Sequence, residues 1–278
     1  MNTIKATTSK LKAKRTFLKK GTCSRTFFYL LNREFGHPND EAERAVDPLA
    51  GGIMQQGYQC GMLWGASMAV GAESYRKTNT PDRAVALSIE ATQHIMESFL
   101  NRTESIECED ITSTDFKNKL SFAKYMLSGK FVSCFTLAGK WAPEAIQSAV
   151  EGLSGESTEA DQESLSCASE VVKQMGGSEE EAAMVSGFAG GLGLSGDACG
   201  ALAAAIWKTA LDAIRSGNYK PSYSDPTSDK VLSNFYKETD YEIECREICG
   251  KRFNTIQEHS EFIKNGGCKK LISVLAES

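Results

Sequence analysis

The chain has 278 residues, of which 41% are hydrophobic and 24% are charged. This balance is typical of a folded globular protein and excludes a disordered chain, a collagen-like repeat and a coiled-coil rod. The length predicts about two domains, and the net charge of −5 is unevenly distributed.

The N-terminal segment is basic. Residues 1–33 contain nine Lys and Arg and no acidic residue, and we predict that residues 1–20 form a basic N-terminal arm. Such an arm could contact nucleic acid or a membrane surface, but the favoured interpretation is a solvated or frayed terminus. The segment Lys14–Lys19 resembles a degraded export signal, yet the apolar run Phe27–Leu31 is too short for one. The sequence therefore predicts a cytoplasmic protein without specific nucleic-acid binding.

The longest uncharged stretch runs from Pro48 to Ala72. A membrane span needs about 20 predominantly apolar residues, whereas this stretch contains three Gln and many small residues. We therefore predict no membrane span.

The apolar spacing predicts helices in both halves of the chain. Residues 82–100, 166–175 and 179–188 carry the clearest helical periodicity, and acidic residues begin the third of these segments, as suits a first helical turn. No run of alternating β-branched residues predicts a strand. The predicted fold is all-α, with two tandem helical repeats packed as a helical bundle. Shorter helical pieces are predicted at 230–236, 241–249 and 268–276, and turns at 76–82 and 217–229.

An internal duplication organises the chain. Segments 50–61 and 189–200 both begin with Ala-Gly-Gly, have Gly three residues before a Cys, and end in Cys-Gly. A second pair, 106–111 and 243–248, shares Ile-Glu-Cys and a closing Ile. A small, polar linker at 151–158 separates the halves. We predict a first four-Cys repeat at 21–152 and a second at 158–278.

The cysteines follow the duplication. Nine Cys are many for a cytosolic chain, where structural disulfides are disfavoured, and they suggest thiol redox chemistry, metal binding or buried apolar packing. Cys249 lies outside the shared order, and Thr112 occupies its matching position in the first half. The candidate metal ligands or disulfide partners are Cys23, Cys60, Cys108 and Cys134 in the first half, and Cys167, Cys199, Cys245, Cys249 and Cys268 in the second.

Cys60 and Cys199 are the predicted redox thiols. Each follows a Gly-rich segment and opens a predicted helix of small residues. Unpaired N–H groups and the helix dipole favour thiolate there and lower the pKa of a thiol. The alternative is a Cys packed at a tight helix crossing.

Cys245 and Cys249 are four residues apart. On a helix their Cβ atoms would be about 5–6 Å apart, which suits a shared metal better than a disulfide, although two buried thiols are an equal alternative. Since the chain has no Cys-x-x-Cys pair, it predicts neither a thioredoxin motif nor a zinc ribbon.

Other motifs are less informative. The Gly191–Gly196 segment matches G-x-G-x-x-G, but a nucleotide site needs a preceding strand and the sequence before it is helical. His37, His94 and His259 do not recur between the halves, so we interpret them as surface or packing residues. Trp64 and Trp207 are predicted to pack in the core.

The cysteines with their Gly and Ala neighbours resemble a redox-active family named for the signature C_GCAxxG_C_C. Each half resembles one unit, so the resemblance covers about residues 20–277. The second half keeps Cys199-Gly200-Ala201 but has Ala204 at the closing Gly. The first half keeps Cys60-Gly61 and Gly65 but has Met62 for the Ala. The resemblance implies redox activity, or a bound Fe–S cluster or metal.

The sequence predicts a cytoplasmic cysteine-based redox protein with one site in each half and a redox partner protein. Four thiols could hold an Fe–S cluster or Zn, or form reversible disulfides. The main alternative is a structural or partner-binding helical protein with inert cysteines. An enzyme with a Cys nucleophile is less favoured, because no His recurs near a Cys to act as its base.

Overall fold

The computed structural model describes residues 12–78, 80–155, 163–219 and 226–278. Within these residues the protein is helical and has no β-strand, as predicted. The first repeat contains α1 (12–20), α2 (Cys23–Glu34), α3 (Asp40–Ala45), α4 (Gly61–Lys77), α5 (Pro81–Thr103), α6 (Cys108–Thr112), α7 (Lys119–Leu127) and α8 (Phe131–Gly152).

The second repeat reproduces helices α2 to α8 in the same order. A short 3₁₀ helix follows α3, at Asp47–Leu49, and another occupies the equivalent place in the second repeat, at Ser186–Phe188. The helices are α9 (Cys167–Gln174), α10 (Glu179–Met184), α11 (Gly200–Arg215), α12 (Pro226–Glu238), α13 (Cys245–Ile248), α14 (Ile256–Lys264) and α15 (Lys269–Ala276).

Short polar side chains start many of these helices. Thr22 accepts a hydrogen bond from the Arg25 backbone N–H at the start of α2. Ser178 and Glu181 form a capping box at the start of α10. Each cap satisfies a backbone N–H that has no partner inside its helix, so the sequence fixes where the helices begin.

Buried residues of both repeats pack together in a large hydrophobic core and in a second, smaller one. α10 packs against α4, and α3 packs reciprocally against α11. The indole N–H of Trp207 donates to the carbonyl of Ala42 at 3.3 Å, and Trp64 meets Phe188 edge to face. Both tryptophans are fully buried, which confirms the predicted packing role.

Three local predictions need correction. The basic arm is not entirely solvated, because residues 12–20 are helical and Phe17 is buried against Phe135; residues 1–11 lie outside the described part. The turn predicted at 217–229 ends earlier, since α12 begins at Pro226. The helix predicted at 241–249 is only Cys245–Ile248, because Asp240 and Tyr241 adopt positive φ.

Within the described residues, no helix is long and apolar enough to cross a membrane.

Candidate functional site

Helix N-termini converge on the cysteines of the first repeat. Cys23 and Cys108 are the first residues of α2 and α6, Cys60 is the N-cap of α4, and Cys134 lies in the first turn of α8. All four line one cavity of about 240 Å³. Helix N-termini present unpaired N–H groups and positive potential, and backbone N–H groups hydrogen-bond Cys23 and Cys60 here.

A β-bridge pairs the residues just before the second and third cysteines of each repeat, Gln59 with Glu107 in the first. The backbone N–H of Cys60 donates to Ile106 at 2.7 Å, and that of Cys108 donates to Tyr58 at 2.7 Å. The second repeat has the same bridge with the same register, between Ala198 and Glu244. The bridge therefore holds the starts of two helices, and the cysteines on them, side by side.

A left-handed turn precedes the second cysteine of each repeat. Five consecutive residues have φ between +51° and +74° in Gly51–Gln55, and between +60° and +84° in Gly190–Leu194. Each non-Gly residue in this conformation costs about 1–2 kcal/mol, so tertiary contacts must hold the turn in place. Its first glycine donates a backbone hydrogen bond to a sulfur, Gly51 to Cys23 and Gly190 to Cys167.

The glycine after the second cysteine is required by close packing. A Cβ on Gly61 would lie 2.7 Å from the Cys23 sulfur and 3.0 Å from the Cα of Ala50. A Cβ on Gly200 would overlap the carbonyl oxygen of Phe188. The shared Cys-Gly step thus lets a helix start pack against the end of the 3₁₀ helix that precedes the left-handed turn and, in the first repeat, against the first cysteine.

Cys23 and Cys60 line the same cavity. Hydrogen bonding with Cys60, together with backbone N–H groups, lowers the pKa of Cys23 despite its burial. The same hydrogen bond, with burial, raises the pKa of Cys60 well above its ordinary value. Cys23 is partly exposed and Cys60 is buried, so Cys23 is the thiol of the pair that is both accessible and easier to ionise.

The expectation of a lowered pKa at Cys60 and Cys199 is therefore wrong. Both residues do stand at helix starts and accept backbone hydrogen bonds that favour thiolate, but burial outweighs those bonds in Cys199 and raises its pKa well above the ordinary value. Burial penalises the charged form of any thiol. The redox roles of Cys60 and Cys199 remain predictions.

Cys134 has an aromatic partner. The Tyr125 hydroxyl lies 3.2 Å from the Cys134 sulfur. Burial and the nearby sulfur raise the pKa of Tyr125, so the phenol stays protonated and donates the hydrogen bond. Burial also raises the pKa of Cys134, although this hydrogen bond opposes the increase.

The second repeat gathers five cysteines around one cavity of about 10 Å³. Cys167 and Cys245 begin α9 and α13, Cys199 and Cys268 are the N-caps of α11 and α15, and Cys249 is the C-cap of α13. The Cys249 sulfur lies 3.8 Å from that of Cys245 and 3.5 Å from that of Cys268. Burial raises the pKa of Cys167 to about 12, so this cluster favours neutral thiols.

The donor chemistry of four or five sulfurs suits Zn or an Fe–S cluster. As the side chains are arranged, however, the described residues contain no group of three or more His, Cys, Asp or Glu that could hold a metal ion. All nine cysteines are free thiols.

The Gly-rich motif and the three histidines that the sequence singled out supply no thiol ligand or base. Gly191–Gly196 follows a 3₁₀ helix and overlaps the left-handed turn, and Ser186–Phe188 stands where a dinucleotide site needs a strand. His259 is buried beside the second cluster. His37 faces Glu73 at 3.7 Å, and His94 lines a shallow surface pocket.

The sequence analysis missed the aromatic wall of the first cavity. Its signal is a concentration of aromatic residues around the third and fourth cysteines of the first half. The aromatic side chains that line the cavity are Phe17, Phe116, Phe122, Tyr125, Phe131 and Phe135.

Comparison with known proteins agrees with the duplication. No curated protein and no solved structure matches the chain. One family model matches twice, over residues 22–145 and 164–278, and each match contains all the cysteines of one repeat. Since the two matches cover most of the chain, it belongs to the family described as "Putative redox-active protein (C_GCAxxG_C_C)", as two tandem units.

Proposed function

We propose that this protein is a thiol redox protein in which the cysteines of each repeat exchange electrons with a partner protein. The observation that carries the proposal is the Cys23–Cys60 pair. One thiol is partly exposed and has a lowered pKa, and the other is buried and hydrogen-bonded to it. An attacking thiolate next to a second thiol is what reversible disulfide exchange requires.

In the exchange, the Cys23 thiolate attacks one sulfur of a partner's disulfide. A Cys23–partner bond forms while the partner's own S–S bond breaks, and the leaving thiolate takes the proton of Cys60. The Cys60 thiolate then attacks the Cys23 sulfur and expels the second partner sulfur as a thiolate. Two electrons pass to the partner, and the reverse sequence re-reduces the pair. This chemistry suits a cytoplasmic location, where thiols are kept reduced between turnovers.

The test starts from protein purified without oxygen. Iron, sulfide and zinc are quantified, and the protein is then equilibrated with dithiothreitol buffers of increasing oxidation and mapped by alkylation and mass spectrometry. We expect little metal and a Cys23–Cys60 disulfide that forms reversibly. The variant Cys23→Ser should lose this disulfide, whereas the matched variant Cys167→Ser, at the equivalent position of the second repeat, should keep it.

Two results would overturn the proposal. Stoichiometric iron with sulfide, or stoichiometric zinc, would assign the cysteines to a metal centre. If all nine thiols stay reduced in every buffer, the cysteines are packing residues, which is the interpretation that the five buried ones alone would suggest.

A further inference from the structure

The cavity beside Cys23 and Cys60 is apolar and aromatic. Six aromatic rings line it, together with Met, Ile and Leu side chains, and none of its lining residues in the described chain carries a charged side chain. At about 240 Å³ it has room for one small ring system. The four thiols therefore face a space that can take an uncharged molecule.

This space is not a requirement of the cysteine arrangement. The second repeat builds the same bridge, the same left-handed turn and the same helix starts around its cysteines, and its cavity is only about 10 Å³. Side chains such as Phe262 and Ile263 take up the space there. These shared features are therefore compatible with a closely packed site that holds no ligand. The open volume of the first repeat comes from the side chains that line its own cavity.

The lining selects against charged oxidants. A small disulfide such as cystine or oxidised glutathione carries carboxylates and ammonium groups, and burying them without partners is costly. A neutral planar ring loses no such partners and gains offset or edge contacts with the aromatic walls. Among neutral planar molecules, quinones accept two electrons and two protons, which is what a thiol pair supplies on becoming a disulfide.

We propose that the first-repeat cavity binds a small neutral quinone as the electron acceptor of the Cys23–Cys60 pair. The proposal rests on the proposed function: the quinone accepts the two electrons, and a partner dithiol returns them by the reverse of the exchange described above. The Cys23 thiolate adds to a ring carbon of the quinone and forms a C–S bond. Cys60 then loses its proton and attacks the Cys23 sulfur, the S–S bond forms, and the C–S bond breaks. The bonding pair returns to the ring, which takes up two protons and leaves as hydroquinone.

Tetramethylbenzoquinone is the appropriate probe. Each of its ring carbons that lacks an oxygen carries a methyl group, so thiolate addition cannot end in a stable aromatic thioether. Loss of quinone therefore reports reduction and not arylation. We expect anaerobic, reduced wild-type protein to convert one equivalent of quinone to hydroquinone while the Cys23–Cys60 disulfide appears by mass spectrometry.

Binding is measured separately, by equilibrium dialysis on the double variant Cys23→Ser, Cys60→Ser. This variant should bind the quinone and not reduce it. Adding Phe122→Ala should weaken binding by about tenfold or more, a loss of about 1.4 kcal/mol. Adding Leu127→Ala should leave binding unchanged, because Leu127 lies on the same helix but is 89% exposed and does not line the cavity. Phe135→Leu, on α8, is a second cavity variant if Phe122→Ala does not fold.

The outcomes separate this inference from the proposed function. If the disulfide forms with oxidised dithiothreitol but the quinone neither binds nor is reduced, the proposed function holds and this inference is wrong. If no oxidant produces the disulfide, both are wrong, even where the quinone binds. If the Phe122→Ala and Leu127→Ala substitutions weaken quinone binding equally, or if neither weakens it, the quinone binds elsewhere and the inference is wrong.

Discussion

Helices α7 and α14 stand at equivalent places in the two repeats, between the third and fourth cysteines, and they are held differently. In α14, His259 and Ser260 are buried and hydrogen-bond the backbone of Leu165 at 3.1 and 3.0 Å. Burial lowers the pKa of His259 to about 4, so the ring is neutral near pH 7 and its Nδ1–H donates to the carbonyl. α7 instead exposes Leu120 by 82% and Leu127 by 89%.

The cavities follow this difference. α14, hydrogen-bonded to Leu165, brings its apolar side chains onto the second cysteine cluster and fills the space, whereas α7, with its two exposed leucines, borders an open cavity over the first. The bridge and the left-handed turn, which are shared, position the cysteines. The segment between the third and fourth cysteines, which has diverged, decides what can reach them. The same bridge and turn can therefore hold cysteines beside an open cavity or within a closed core.

The largest expected effect tests the shared frame. We predict that Gly200→Ala destabilises the protein by about 3 kcal/mol or more and Gly61→Ala by about 1–2 kcal/mol. The added methyl at Gly200 meets rigid backbone, whereas at Gly61 the nearest atom is the Cys23 sulfur, which can shift. Denaturant unfolding measures both, with Gly155→Ala, where the nearest atom to a Cβ is 3.7 Å away, as the control. Equal losses at Gly61 and Gly200 would contradict the predicted difference between the repeats.

The next effect tests the filled core of the second repeat. Phe262 packs against Phe253 with ring centroids 5.1 Å apart and lines the small cavity. We predict that Phe262→Ala costs about 2 kcal/mol, because it creates a cavity in a partly buried site. The counterpart is Phe122→Ala in the first repeat, which removes a side chain from a space that is already open and should cost less than about 1 kcal/mol. Urea unfolding of both variants measures the two losses of stability. If Phe122→Ala lowers the free energy of unfolding as much as Phe262→Ala does, the first cavity is a packed core as well.

A smaller effect tests the boundary between the repeats. Burial, and the charges of Asp197, Asp110 and Glu244, raise the pKa of Glu107 to about 8. The folded state thus disfavours the charged carboxylate, so this group reduces wild-type stability as the pH rises from the unfolded value near 4.5 to about 8. We predict that Glu107→Gln is more stable than wild type by about 1–2 kcal/mol at pH 9, after allowance for solvent screening, and equal to it near pH 4.

Unfolding free energies across pH 4–9 check this prediction. Glu104→Gln, an exposed carboxylate a few residues away, should keep the wild-type profile. A constant offset between Glu107→Gln and wild type at every pH would show that the substitution acts through packing and not through charge.

The sequence predicted the duplication, the helices and the order of the cysteines, because these depend on composition and spacing. It could not predict the left-handed turn, since Ile53 and Met54 have no intrinsic preference for positive φ and only tertiary contacts hold them there. Nor could it identify Cys23 as the easier thiol to ionise. That property depends on hydrogen bonds from Cys60 and Gly51, which are far away in sequence, whereas the helix-start argument considered only neighbours along the chain.

The smallest expected effect concerns Cys249, the thiol that only the second repeat has. Thr112 occupies the matching place in the first repeat, where its hydroxyl donates to the carbonyl of Cys108 at 2.7 Å. The first repeat therefore has no thiol at this place, and any chemistry of Cys249 is particular to the second repeat. Its sulfur lies 3.5 Å from that of Cys268, so a shift of about 1.5 Å would bring the two within the S–S bond length of about 2.05 Å.

We therefore predict that mild oxidation joins Cys249 and Cys268 in the second repeat, at a potential different from that of Cys23–Cys60. Cys249→Ser should remove the second-repeat step of a redox titration, leave the first-repeat step unchanged, and alter stability by less than about 1 kcal/mol. Cys249→Thr restores the first-repeat residue and is the matched control for size, and it should behave like Cys249→Ser. Two sites of unequal potential would give electron transfer between them a direction. If the titrations of wild type and Cys249→Ser superimpose, with the thiol count lower by only the substituted residue, Cys249 is a packing residue and the repeats differ in access alone.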